Sequence, residues 1–111
     1  MSDASGGSSP YIRLLGELRN STRAAGGQAK LKCEAAGTPP LNFSWLKNHA
    51  PVEKSRRVRI RNRDYSSRLV ISELEVLDSG HYKCVVSNAA ASLNTSAVLK
   101  ASSSVSLSAA V

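Results

Sequence analysis

From Ala29 to Glu34 the chain alternates without a break: Ala29, Leu31 and Cys33 fall on one side of a period of two, Lys30, Lys32 and Glu34 on the other. That is the spacing of side chains on a strand, so residues 28–34 predict a strand with one face buried. Gly37-Thr38-Pro39-Pro40 punctuates the chain, and alternation resumes over residues 42–47 with Phe43 and Trp45 inward. Lys47-Asn48-His49-Ala50-Pro51 reads as a turn. Val58 and Ile60 read as inner positions of one strand, Leu69 and Ile71 of the next, and Leu74 as a plug in the connection that follows. Tyr82, Cys84 and Val86 share an inward parity, Asn88 to Ser92 makes a turn, and Leu93, Thr95, Ala97 and Leu99 line a last strand. Residues 11–19 supply a first edge strand with Ile12 and either Leu14 or Leu15 inward, before Gly26-Gly27 turns the chain. Short alternating strands separated by turn signals roughly every eight to twelve residues predict an all-β sandwich of two sheets.

Composition shifts set the expected boundaries. Residues 1–10 are Ser/Gly-rich and predict a disordered leader, and residues 101–111 are Ser/Ala/Val-rich and read as a linker towards a following module. Residues 11–100 then form one domain, in keeping with a length of 111 residues. No apolar run approaches the roughly 18 residues needed to span a membrane, and the first residues lack the basic and apolar regions of a secretory leader, so the chain reads as an excised fragment.

The two cysteines, Cys33 and Cys84, have distinctive company. Trp45 follows the first, Leu69 lies between, and the second closes Asp78-Ser79-Gly80-His81-Tyr82-Lys83-Cys84. This combination resembles the I-set immunoglobulin domain, over roughly residues 24–100. The resemblance implies a two-sheet Greek-key sandwich with one inter-sheet disulfide, Cys33 to Cys84, beneath Trp45. It further implies that Tyr82 is the tyrosine-corner residue and that Arg57 pairs with Asp78 across one end of the barrel, both structural roles. Trp45 to Val52, Arg56-Arg57 and Tyr65 to Leu69 look like the immunoglobulin domain of ROR-type receptor tyrosine kinases. Cys33-Glu34-Ala35-Ala36-Gly37, Ser67-Arg68-Leu69 and the Ser-rich tail are instead similar to neuregulin-type ligands, whose immunoglobulin domain binds heparan sulfate. Adhesion and axon-guidance proteins carry such domains in arrays.

A formal charge of +7 is concentrated between Lys54 and Arg68, where seven cations face only Glu53 and Asp64. Strand parity turns Arg59 and Arg61 outward, about 7 Å apart, and turns Lys30 and Lys32 outward on their own strand. The immunoglobulin resemblance places the strand of Arg68 between these two. Lys30, Lys32, Arg59, Arg61, Arg63 and Arg68 are therefore the candidate polyanion-binding residues, the alternative being a merely solvated face. Nucleic acid is disfavoured because Trp45, Phe43 and Tyr82, which could stack on bases, are expected inside. A sulfated glycosaminoglycan such as heparan sulfate, or an acidic extracellular protein, fits better.

Catalytic chemistry is poorly supplied. His49 and His81 are the only side chains suited to general base work near neutrality, Ser79 beside His81 belongs to a turn, and no metal site or cofactor is implied. Three Asn-x-Ser/Thr sequons, at Asn20, Asn42 and Asn94, agree with the cysteines in pointing outside the cell. The expectation is a non-catalytic extracellular binding module of a growth-factor or receptor signalling protein. The alternative is a structural or adhesion repeat, of a cell-adhesion array or of an intracellular muscle-type one.

Overall fold

The computed structural model describes residues 9–103. Their strands are β1 (Ile12–Leu14), β2 (Ser21–Ala24), β3 (Ala29–Gly37), β4 (Asn42–Lys47), β5 (Ala50–Pro51), β6 (Val58–Asn62), β7 (Ser66–Ile71), β8 (Gly80–Ser87) and β9 (Ser92–Ser102), with a short 3-10 turn at Val76–Asp78. They build two sheets, one in the order β1-β3-β7-β6, the other in the order β2-β9-β8-β4-β5. The buried and exposed residues of β3 alternate strictly up to Glu34, as the sequence pattern requires of a strand wet on one side only.

The core lies between the sheets. Leu31, Leu69, Ile71 and Leu74 from one side meet Trp45, Tyr82, Cys84 and Leu99 from the other, all almost fully buried. Cys33 on β3 and Cys84 on β8 are disulfide-bonded across them, with Cα atoms 6.4 Å apart. The Trp45 indole N–H, which would be costly to bury unpaired, donates to Ser67 Oγ at 2.8 Å, and the Ser67 hydroxyl donates in turn to Asn62 Oδ1 at 2.6 Å.

Two expectations need correction. The first edge strand is two strands in two different sheets: β1 pairs antiparallel with β3, and β2 pairs parallel with β9. Between them Leu18 sinks into the core and its N–H donates to Thr95 Oγ1 at 3.0 Å, while Leu15 is exposed. Residues Lys47 to Pro51 make the expected turn as a tight hairpin, in which Lys47 pairs with Ala50 around Asn48 and His49, both at positive φ. The break at Gly37-Thr38-Pro39-Pro40 falls where expected: Gly37 ends β3, and a Cβ there would lie 2.6 Å from the Tyr11 carbonyl, so its lack of a side chain lets β1 approach. Finally the last strand runs past residue 100. Ala101 is buried and bonded through both its N–H and its carbonyl to Ser79 Oγ, and Ser102 accepts from Ala25 N–H, so the folded domain takes in Ala101 and Ser102. Most of the expected leader and linker, residues 1–8 and 104–111, lies outside the described residues.

Candidate polyanion-binding face

Strand register decides which cations meet. The Ala35 N–H donates to the Tyr65 carbonyl, so the odd-numbered residues of β3 bond to β7, and Lys30 and Lys32 sit in non-hydrogen-bonded pairs with Val70 and Arg68. Such pairs have the closest side chains on an antiparallel ladder, with Cα atoms about 4.5 Å apart. On the other side Ser72 N–H donates to the Arg57 carbonyl, which makes Arg61 and Arg68 a hydrogen-bonded pair, at about 5.5 Å. Lys32, Arg68 and Arg61 therefore form one row across three strands. Lys30, Val70 and Arg59 form the adjacent row, and Arg63 extends the edge, its N–H donating to the Ser66 carbonyl.

Lys30, Lys32, Arg59, Arg61 and Arg68, drawn from three strands, are all exposed on the outer face of the β1-β3-β7-β6 sheet. Two shallow depressions run between them. One of about 300 Å³ lies among Lys30, Arg59, Arg61, Arg68 and Val70, and one of about 190 Å³ among Lys32, Arg61, Arg63, Ser66 and Arg68. Lys32 is paired with Glu34 at 3.4 Å. Among the described residues no carboxylate pairs with Lys30, Arg59, Arg61, Arg63 or Arg68. Like charges placed directly opposite one another destabilise a sheet, two unit charges at 4 Å repelling by about 1 kcal/mol even in water.

Arg57 and Asp78 form a different unit. The Arg57 guanidinium donates to Asp78 Oδ2 at 3.0 Å and to the Ser72 and Glu73 carbonyls, and Glu75 N–H donates to the same carboxylate at 2.7 Å. Burial alone would raise the Asp78 carboxyl, but the bonds from Arg57 and Glu75 outweigh it and hold the group below the ordinary aspartate range. The Tyr82 hydroxyl donates to the Asp78 carbonyl at 2.6 Å, and burial, helped by the nearby Asp78 charge, pushes it up to about 12. The three residues pin the crossing from β7 to β8.

His49 and His81 line one small hollow of about 220 Å³ with Lys83 and Ser96. Among the described residues no three His, Cys, Asp or Glu side chains are grouped to hold a metal ion. The sequon residues Asn42 and Asn94 are exposed on the outer face of the other sheet, and Asn20 is exposed at its rim, its Oδ1 accepting from Val98 N–H at 2.7 Å. Sequence reasoning overlooked Arg13, whose pairing with Ala36 puts it on the cationic face; the alternation around Ile12 carried that signal. It also overlooked Arg19 and Arg23, which no periodicity could place because the chain changes sheets there. Tyr11 and Tyr65 are exposed aromatics it did not weigh.

The family model for the immunoglobulin I-set domain matches residues 12–101. The chain belongs to the immunoglobulin I-set family. Families of this fold supply non-catalytic binding and structural modules. Among curated proteins, this I-set domain is 34% identical over 95 residues to the pro-neuregulin-1 membrane-bound isoform of Xenopus laevis, a match covering 78% of the chain and 14% of the relative. It is 29% identical over 89 residues to the limbic system-associated membrane protein of Rattus norvegicus (80% and 26% covered). With hemicentin-1 of Homo sapiens it shares 41% over 58 residues (52% and 1% covered). The chain thus spans about a quarter or less of the length of these relatives. They support the neuregulin-type resemblance and lend none to the ROR-type one. Among solved structures, the titin M10 and obscurin-like 1 immunoglobulin complex aligns with a TM-score of 0.79 at 26% identity, covering 86% of this chain and 95% of that one.

Proposed function

We propose that this I-set domain is an extracellular binding module whose β1-β3-β7-β6 face engages a sulfated polysaccharide of the heparan sulfate class. The observation that carries the reading is the row Lys32, Arg68 and Arg61, three cations side by side on three strands with Glu34 as the one paired carboxylate. A face that merely keeps a protein soluble gains nothing from concentrating one sign, whereas a polyanion binding across it releases counterions and relieves the repulsion. Three further facts support an extracellular setting: the disulfide, the two sequons exposed on the opposite sheet where glycans would leave the cationic face clear, and two relatives named as membrane-bound or membrane proteins. Heparin affinity chromatography tests it. The Arg59→Glu, Arg61→Glu double variant is expected to lose retention at physiological salt while keeping its circular dichroism spectrum, since both side chains are exposed; unchanged retention overturns the assignment.

A second reading, a structural or adhesion repeat, has its own support in the hemicentin-1 match and the titin likeness. A domain that does not bind heparin but binds a second domain of its parent protein favours it.

A further inference from the structure

Where the chain leaves β1 for the other sheet, it uncovers the edge of β3. β1 pairs only with Ala35, Ala36 and Gly37, and Leu15 adds one bond to the Glu34 carbonyl. Because the odd residues of β3 bond to β7, the main-chain N–H and C=O groups of Lys30 and Lys32 point to this open side. Between that edge and β2 lies a groove of about 540 Å³, walled by Arg19 and Arg23 on one flank and by Lys30 and Lys32 on the other, with Glu17 the single carboxylate along it. The Arg23 guanidinium spends one N–H on the Thr22 carbonyl at 2.9 Å and keeps the rest. Lys30 and Lys32 border both this groove and the depressions on the outer face, so the two cationic surfaces are continuous around the β3 edge.

We propose that the polyanion turns over the β3 edge and continues into this groove, making the site a bent track rather than a flat patch. This rests on the reading that the outer face binds a sulfated polysaccharide, and it narrows the partner. A rigid acidic protein surface cannot follow a sheet around its edge into a cleft, whereas a linear chain can. The exposed strand edge alternates donors and acceptors: sulfate groups accept from the Lys30 and Lys32 N–H groups, and sugar hydroxyls donate to the carbonyls beside them. A chain long enough to occupy both surfaces therefore gains contacts with Arg19 and Arg23 that a short one lacks.

Titration calorimetry of the whole chain with a heparin-derived decasaccharide between about 0.1 and 0.3 M NaCl tests this, because the slope of log affinity against log salt counts the cations engaged. Arg19→Ala with Arg23→Ala is expected to make the slope shallower by about 1 to 2 and to weaken decasaccharide binding more than tetrasaccharide binding. Lys54→Ala with Arg56→Ala, which removes two exposed cations outside the track, is expected to change neither. An equal effect of both pairs means that net charge alone acts and overturns the proposal. So does a slope that Arg19→Ala with Arg23→Ala leaves unchanged while Arg59→Glu with Arg61→Glu abolishes binding, a result that leaves the outer-face reading standing. A wild-type chain that fails to bind the decasaccharide overturns both.

Discussion

Replacing both Cys33 and Cys84 by Ala separates the contribution of the disulfide from that of the core around it. The bond closes a sequence separation of 51 residues between the two sheets, for which the chain-entropy relation gives about 4 kcal/mol lost from the denatured state. Both side chains are at most 1% exposed, so the substitution also removes two buried sulfur atoms beneath Trp45 and leaves space that the surrounding Leu and Ile side chains fill only in part. The total cost is therefore at least about 4 kcal/mol, against a net stability of about 5 to 10 kcal/mol for a domain of this size. With a urea dependence of about 1 to 2 kcal/mol per molar, the unfolding midpoint followed by Trp45 fluorescence is expected to fall by about 2 to 4 M. A variant whose midpoint falls by less than about 1 M refutes the reasoning, because it shows that the packed sheets already hold the chain without the cross-link.

Acid titration isolates the second fixed point. The folded-state pKa of Asp78 lies below its ordinary value of 3.8, so its ion pair contributes fully above that value and the contribution is lost as pH falls through the folded pKa. Asp78→Asn is expected to lower stability at neutral pH and to flatten that acid limb in thermal melts; an unaltered limb contradicts the assignment. Ser67→Ala orphans the Trp45 indole N–H in the core and takes away the donor to Asn62, for an expected loss of about 1 to 3 kcal/mol in denaturant unfolding; no loss means the relay adds nothing. Expressed through a secretory pathway as the Asn20→Gln variant, which removes the sequon lining the groove, the domain is expected to carry glycan on Asn42 or Asn94 that glycosidase digestion removes without altering heparin retention, since both lie on the sheet opposite the cations; a gain in retention on deglycosylation contradicts that separation.

The parts of this fold legible in the sequence are those where one face of a strand is dry and the other wet. Residues 29–34 of β3 and the whole of β4 and β8 announced themselves by alternation, and the outward parity of Lys30, Lys32, Arg59 and Arg61 followed from the inward neighbours. Register was not legible, because pairing partners distant in sequence leave no local trace; that Lys32, Arg68 and Arg61 stand in one row is known only from the ladder. The switch between β1 and β2 was hidden for a related reason. Leu14, Leu15 and Leu18 break the period of two that marks a strand, since one side chain remains on the first sheet, one is exposed and one drops into the core beside Thr95. The groove that the switch opens, with Arg19 and Arg23 along it, was consequently beyond reach of sequence reasoning. Ala101 was misread as linker because its Ser-rich surroundings look the same in a solvated tail and on the wet side of a strand.

The central claim, that the outer face of the β1-β3-β7-β6 sheet receives a sulfated polysaccharide, is tested most directly by titrating the isotope-labelled domain with a heparin hexasaccharide and following its amide resonances. The account predicts that shifts concentrate at Lys30, Lys32, Arg59, Arg61 and Arg68, with Ser44, Val85 and Asn94 on the opposite sheet unmoved. Shifts centred on Ser44, Val85 and Asn94, or no saturable shift at physiological salt, would contradict it.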